Sequence, residues 1–327
     1  MGEVKTSTGT LDRILTLELA RVTEAAAVAS YHLIGRGDEK AADQAAVDAM
    51  RKALNTCEIQ GTVVIGEGER DEAPMLYIGE KVGTGRGPVV DIALDPLEGT
   101  TLTSKAAPNA LAVVAIAQGG SLLHAPDVYM NKIAVGGGYP PGVVDLDADP
   151  ADNIRALAKA KGVRPSEISA CILDRPRHAQ IIERVRSTGA SIRLIPDGDI
   201  AGVIHTTDRA LGIDIYLGIG GAPEGVLAAA ALRCIGGQMQ GRLVFSTDDE
   251  RTRAKRIGIT DLDRKYVMEE LAQGDVMFAA TGVTDGSMLK GIHVDGEFIE
   301  SHTIVMRSST GTVRWIQAKH RRDHKGV

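Results

Sequence analysis

The stretch Val89-Val90-Asp91-Ile92-Ala93-Leu94-Asp95-Pro96-Leu97-Glu98-Gly99-Thr100-Thr101 constrains this chain more than any other. The apolar run from Val89 to Leu94 is broken only by Asp91, the pattern of a strand covered on both faces. Pro96 has no N–H for a sheet ladder, so the strand is expected to stop there. That places Asp95 at a strand end, and Glu98, three residues on, can turn back to the same point. Gly99 allows a backbone that a side chain would block. Thr100 supplies a hydroxyl just beyond. Two carboxylates and a hydroxyl at the mouth of a buried strand suit a hard divalent cation and a water to be activated. An acidic surface turn capping the next element would use the same residues, so the rest of the chain has to decide.

Other element ends repeat the theme. Gly61 to Ile65 reads as a β-branched strand running into Gly66-Glu67-Gly68, where flanking glycines let the backbone come close to a ligand. Glu69, Asp71 and Glu72 read as solvated or structural. A helix is expected from Leu11 to about Leu33 and another over about 40–54, with Asp43 near the start of the second. A carboxylate there also serves the helix dipole, and that use stays open. From about 150 the pattern alternates: helices near 153–161, 179–188 and 199–205, strands near 168–173, 191–195 and 213–219. Such alternation calls for a parallel or mixed sheet with helices outside it. The strand ends carry Asp174-Arg175-Pro176-Arg177-His178, Pro196-Asp197-Gly198-Asp199 and Gly220-Gly221-Ala222-Pro223-Glu224-Gly225, where α/β sheets bind ligands. Pro223 suits a first helical turn, so Glu224 lies near the N-terminus of an apolar helix ending at Ile235.

The remaining stretches set boundaries. Residues 1–10 are expected to be a loose tail, and Lys319 to Lys325 a basic disordered one. Gly119-Gly120-Ser121 reads as a hairpin turn from the strand 111–117 to Leu122-Leu123. Residues 246–265 read as a charged, exposed loop or helix face. Val276 to Ala280 reads as a core strand, and residues 292–318 as antiparallel strands at an edge. Gly136 to Gly142 is the expected lobe boundary, giving lobes 1–140 and 141–327. The formal net charge of -6 argues against a general nucleic-acid binder. Three cysteines with no CxxC read as reduced thiols in a cytoplasmic protein. No apolar run approaches the roughly 18 residues of a membrane span, and no signal-peptide pattern opens the chain. Aromatics are only 3%, so Ala, Val, Ile and Leu must fill the core.

Asp43, Glu67, Asp95, Glu98 and Glu224, gathered in one cleft, would repel one another unless cations were present. Two or three Mg²⁺ or Mn²⁺ ions would neutralise them, polarise a phosphoryl group and lower the pKa of a bound water. Thr100 would orient that water or relay its proton, giving an alcohol and phosphate with no covalent intermediate. Other designs fit less well. Asp95 and Glu98 stand three apart with Pro96 between, where an aspartyl nucleophile would need acids two apart, and a GxxxxGK[ST] loop is absent. The glycine spacing of 218–225 is wrong for a dinucleotide loop, and Pro223 and Glu224 stand where a pyrophosphate would approach.

Asp95-Pro96-Leu97-Glu98-Gly99-Thr100 resembles the DPxDGT signature of the lithium-sensitive, metal-dependent sugar and inositol phosphatases. Glu98 and Glu224, each standing where that superfamily has Asp, are what its class II fructose-1,6-bisphosphatases show. The likeness to that class covers almost the whole chain. It includes Gly35-Arg36-Gly37-Asp38, Val64-Ile65-Gly66-Glu67-Gly68-Glu69, Asp71-Glu72-Ala73-Pro74-Met75-Leu76 and the three strand-end strings above. The related bacterial enzymes often carry Lys directly after Gly-Asp, where this chain has Glu39 and then Lys40.

The resemblance implies a layered αβαβα sandwich with the active site between two lobes. It implies hydrolysis of fructose 1,6-bisphosphate to fructose 6-phosphate in gluconeogenesis, with Mg²⁺ or Mn²⁺, two or more ions per site. The implied metal ligands are Asp43, Glu67, Asp95, Glu98 and Glu224, with Thr100, Asp43 and Glu67 catalytic. The implied substrate contacts are Glu98, Gly99, Thr100, Tyr129, Arg175, Pro176, Arg177, Asp197, Gly198, Asp199 and Gly221. A homo-oligomer, dimer or tetramer, is implied as well. A dual fructose-1,6-/sedoheptulose-1,7-bisphosphatase and an inositol or nucleotide phosphomonoesterase of the same fold are the alternatives, with a silent sugar-phosphate sensor behind them.

Overall fold

The computed structural model describes Leu11, residues 14–68 and residues 75–322. The expected tail at 1–10, the acids Glu69, Asp71 and Glu72, and Asp323 to Lys325 lie outside the described residues. The chain begins with α1 (Leu15–Tyr31) and α2 (Glu39–Leu54), the second capped by Asp38, which accepts from the Ala41 N–H at 3.0 Å. Next come β1 (Gln60–Ile65), β2 (Lys81–Val82), β3 (Val89–Glu98), the short α3 (Thr100–Ser104) and β4 (Leu111–Gln118). The middle of the chain alternates: β5 (Tyr129–Gly136), α4 (Pro150–Lys161), β6 (Ser169–Leu173), α5 (Ala179–Arg186), β7 (Ser191–Ile195), α6 (Asp199–Ile204) and β8 (Ile215–Gly221). Then follow α7 (Ala222–Ile235), β9 (Gly237–Val244), α8 (Asp248–Arg256), β10 (Tyr266–Val267) and α9 (Met268–Leu271). The last strands are β11 (Val276–Gly282), β12 (His293–Asp295), β13 (Phe298–Arg307) and β14 (Thr312–Arg321).

Two mixed sheets result. The first runs β12-β13-β11-β4-β3-β1-β2, with β14 also paired to β13, and the second runs β10-β9-β5-β8-β6-β7. The two-residue period of each strand divides its side chains between cores. In the first sheet Val63, Ile92, Leu94, Val114 and Ile116 pack with α1 and α2. Val64, Ala93, Val113 and Ala115 face the other way, into the core built around α7. In the second sheet Met130, Ala134 and Tyr216 meet that same middle core. Ile133, Val135, Ile172 and Ile215 pack under α4 and α5. The order is helices, sheet, helices, sheet, helices, the expected αβαβα sandwich. The run Ala228-Ala229-Ala230-Ala231 is wholly buried in α7, and these small side chains let one helix layer serve both sheets.

Four expectations need correction. Pro96 does not stop its strand, because β3 continues to Glu98. Pairing with β1 has already ended at Ala93, and pairing with β4 shifts register between Asp95 and Glu98. Pro96 lies in that bulge, so no ladder bond needs its missing N–H. Leu122 does not close a hairpin onto β4 but bridges Ala272, while Ser121 and Leu122 N–H groups donate to Asp91 Oδ2 at 2.9 and 3.2 Å. Those bonds explain the lone acid in the apolar run. Lys319, His320 and Arg321 are not tail but the end of β14, paired with Glu300, Ile299 and Phe298. Finally, the sheets do not follow the division at 140. β5 already belongs to the second sheet, and residues 276–321 return to the first.

Candidate active site

The bulge that accommodates Pro96 also builds the site. It turns Asp95 and Glu98 toward Glu224, so that one carboxylate oxygen from each lies within 4.8 Å of the others. Asp95 Oδ1 accepts from the Leu97 N–H at 3.1 Å, and Glu98 Oε1 accepts from the Ile200 N–H at 3.4 Å. Glu98 is buried. Glu224 lies in the first turn of α7, after Pro223, where the helix dipole favours an anion. Its Oε2 is buried and has no hydrogen-bond partner. A Cβ on Gly221 would lie 1.8 Å from that oxygen, so only glycine leaves room for it. Gly99 adopts a left-handed conformation, φ 85°, and starts α3 with Thr100 as its first residue. Gly198 does the same for α6 and Asp199, at φ 83°.

The acids lie near enough to act on one another's charge. Glu67 is pushed up to about 9, by burial first and then by Asp95 and Asp43. Asp43, one turn into α2, is raised by burial. Asp95 is raised by burial and further by Asp43 and Asp197. Glu98 is raised well above the carboxylate range by burial, then by Asp95, Asp199 and Glu224. A hydrogen bond between Asp95 and Glu98 lowers the first and raises the second, as a shared proton does. Without a cation, such a cluster holds protons at neutral pH. Its donors are all hard carboxylate oxygens, one of them orphaned, and they fit an ion such as Mg²⁺ or Mn²⁺. The Glu67 turn is held by its own N–H, which donates to Leu76 O at 3.1 Å.

The opposite wall comes from the second sheet. Arg177 lies 4.7 Å over the Tyr129 ring and donates twice to Ile219 O, at 3.1 and 2.8 Å. Arg175 donates to Pro196 O at 2.6 Å and lowers Asp197, which burial raises. Pro176 opens a short 3₁₀ turn, and Gly198 N–H donates to Asp197 Oδ1 at 3.1 Å. Glu39 also acts on Asp197 and accepts from Ser104 Oγ at 3.3 Å; it and Lys40 are both exposed. Asp199 is turned inward: its Oδ2 takes an ion pair from Lys132 and a hydrogen bond from Tyr216 Oη at 3.4 Å.

Two organising residues escaped the sequence reading. His178 is buried, and burial lowers its pKa. Its Nδ1–H donates to Leu173 O at 2.7 Å and its Nε2 accepts from the Ile219 N–H at 2.8 Å, tying the end of β6 to that of β8. Lys132 is the other. The available signal was a lysine inside the apolar strand Met130 to Val135.

The chain matches the model of the family described as bacterial fructose-1,6-bisphosphatase, glpX-encoded, over residues 13–320. It is 47% identical over 326 aligned residues to fructose-1,6-bisphosphatase 1 class 2 of Escherichia coli K12, covering 96% of this chain and 97% of that one. The fructose-1,6-bisphosphatase class 2 of Shigella flexneri is similar to the same extent, 47% with the same coverage.

Proposed function

The chain belongs to the family of bacterial, glpX-encoded fructose-1,6-bisphosphatases, and we propose that it removes the 1-phosphate of D-fructose 1,6-bisphosphate with divalent cations held by Asp43, Glu67, Asp95, Glu98 and Glu224. The observation that carries the metal assignment is the buried, partnerless Oε2 of Glu224 beside Asp95 and Glu98. Mg²⁺ or Mn²⁺ held there would polarise the phosphoryl group and lower the pKa of a bound water.

The chain's own residues do the rest. Asp43 and Glu67 close the acidic wall from α2 and the turn after β1. Thr100, the first residue of α3, would orient the attacking water and relay its proton to a carboxylate. Gly99 and Gly221 leave backbone open to the reacting phosphate. Arg177, steadied by Tyr129, and Arg175 with Pro176 hold the distal phosphate with planar forks. Asp197, with Gly198, accepts from sugar hydroxyls. Asp199 contributes from inside, through its pair with Lys132. The proposal extends to a homo-oligomer, dimer or tetramer, in the cytoplasm; light scattering of the purified protein tests the first.

The decisive assay is phosphate release from fructose 1,6-bisphosphate with Mg²⁺, Mn²⁺ or EDTA, beside sedoheptulose 1,7-bisphosphate and inositol 1-phosphate. Release is expected only with metal. Thr100→Ala should lose about 10²- to 10⁴-fold in kcat with Mn²⁺ binding intact. Preference for inositol phosphate would remove the role of Arg175 and Arg177. Turnover in EDTA would remove the metals.

A further inference from the structure

Lys132 stands on β5 and is 1% exposed, so its ammonium has left water altogether. Burying a charge is costly unless it is paired and hydrogen-bonded. Both conditions are met: Nζ pairs with Asp199 Oδ2 and donates to Gly221 O at 2.9 Å. The room for this arrangement is carved by glycines. Lys132 faces Gly218 and Gly241 across its two ladders. A Cβ on Gly220 would lie 2.2 Å from Asp199 Oδ2 and 3.0 Å from Nζ, and one on Gly225 would lie 3.3 Å from Lys132 Cδ. The glycine-rich string 218–225, unsuited to a pyrophosphate, therefore moulds this buried pair with Glu224 beside it.

We infer that Lys132 is the positioning residue of the metal site: it engages Asp199 and the Gly221 carbonyl, and so leaves Glu224 as the carboxylate that reaches the cation. The inference rests on Asp95, Glu98 and Glu224 being metal ligands. Gly221 is the residue from which α7 starts, and fixing its carbonyl fixes the approach of Glu224. Without Lys132, Asp199 would be a further unpaired acid whose charge bears on both Glu98 and Glu224. An incoming cation would then have a competing, misplaced ligand.

The test measures Mn²⁺ binding alone, from the electron paramagnetic resonance signal of the free ion. It compares wild type, Lys132→Met and Lys132→Met/Asp199→Asn. The double variant leaves no buried charge unpaired, so it keeps the question answerable if the single one fails to fold. In the double variant Mn²⁺ affinity is expected to fall about 10- to 100-fold, the usual cost of losing a group that orients a ligand. Its metal-free melting temperature should match that of wild type, and kcat should fall while KM for fructose 1,6-bisphosphate stays within about threefold. A folded double variant that binds Mn²⁺ within about twofold of wild type overturns the inference and leaves Lys132 a packing residue. A wild-type protein that binds no Mn²⁺ overturns the ligand assignment beneath it.

Discussion

Asp199 and Glu224 lie on either side of Gly220 and Gly221, and both sit at the start of a helix in the middle layer. Their circumstances differ in one respect. Asp199 has a cation supplied by the chain, Lys132, whereas Glu224 Oε2 has no partner. A buried carboxylate is stable when a cation meets it and costly when none does. The first acid is therefore completed by folding, and the second is completed only when something arrives from solution. The same carboxylate chemistry becomes framework in one place and site in the other.

The largest test of that contrast is the same amide substitution made at both acids. Asp199→Asn leaves Lys132 buried without its counter-charge and should lower metal-free stability by about 3–5 kcal/mol. Glu224→Gln should leave metal-free stability unchanged or raise it at neutral pH, since it removes an acid whose charge is disfavoured. It should nevertheless lower kcat with Mn²⁺ by more than about 100-fold. Urea unfolding in EDTA and phosphate release with Mn²⁺ read the two halves. If both variants lost stability alike, Glu224 would have an internal partner and the contrast would collapse.

The neighbouring glycines sharpen the same contrast. A Cβ on Gly220 would press on Asp199 Oδ2, at 2.2 Å, and one on Gly221 on Glu224 Oε2, at 1.8 Å. Gly221 has φ -64°, so alanine fits its backbone and the conflict is with the side chain alone. Gly220→Ala should cost about 1–3 kcal/mol of stability, as overpacking does. Gly221→Ala should displace Glu224 and weaken Mn²⁺ binding about tenfold, with a smaller change in melting temperature. Equal effects of the two alanines on metal affinity would show that the acids act as one unit.

How much of this was legible in the sequence depended on range. The ends of β1 and β8 could be read, because Glu67 and Glu224 each follow a β-branched or glycine-marked run. A mixed sheet with helices outside it could be read from alternation along the middle of the chain, while the five layers came from the family resemblance. What could not be read was decided by neighbours far away in sequence. The strand passes Pro96 because its partner β1 has already ended, and no local pattern reports that. Asp91 looked like an interruption, yet it holds the N–H groups of Ser121 and Leu122. Lys132 drew no assignment from its local sequence, because its counter-charge comes from α6. The end of the last strand, Lys319 to Arg321, was read as part of a basic tail because only β13, lying beside it, orders those residues.

Acidity offers a subtler way to break the contrast. Burial pushes Glu67 up to about 9 and Glu224 up to about 8, from 4.5 for an ordinary glutamate. A native state that holds protons the unfolded chain has released is favoured at low pH and loses stability as pH rises through that window. In EDTA the melting temperature should therefore fall between pH 5 and pH 9, and Glu224→Gln should flatten part of the fall. Saturating Mn²⁺ should remove most of it, because the ion replaces the protons. An unchanged slope in Glu224→Gln would mean that the orphaned oxygen is not what the pH change reports.

The smallest effect belongs to the opposite wall, where charge meets water. Tyr129 is 46% exposed, and Arg177 is held by the ring at 4.7 Å as well as by Ile219 O. Tyr129→Phe keeps the ring and removes only the hydroxyl. KM for fructose 1,6-bisphosphate should rise roughly two- to tenfold, the range of one hydrogen bond, with kcat unchanged. Tyr129→Ala removes the ring as well, and an exposed cation–π contact adds about a further two- to fivefold. Steady-state kinetics on the two variants separate the contributions. Equal losses would assign the whole effect to the hydroxyl. A fall in kcat instead of a rise in KM would place Tyr129 with the acids, among groups whose burial makes each one decisive.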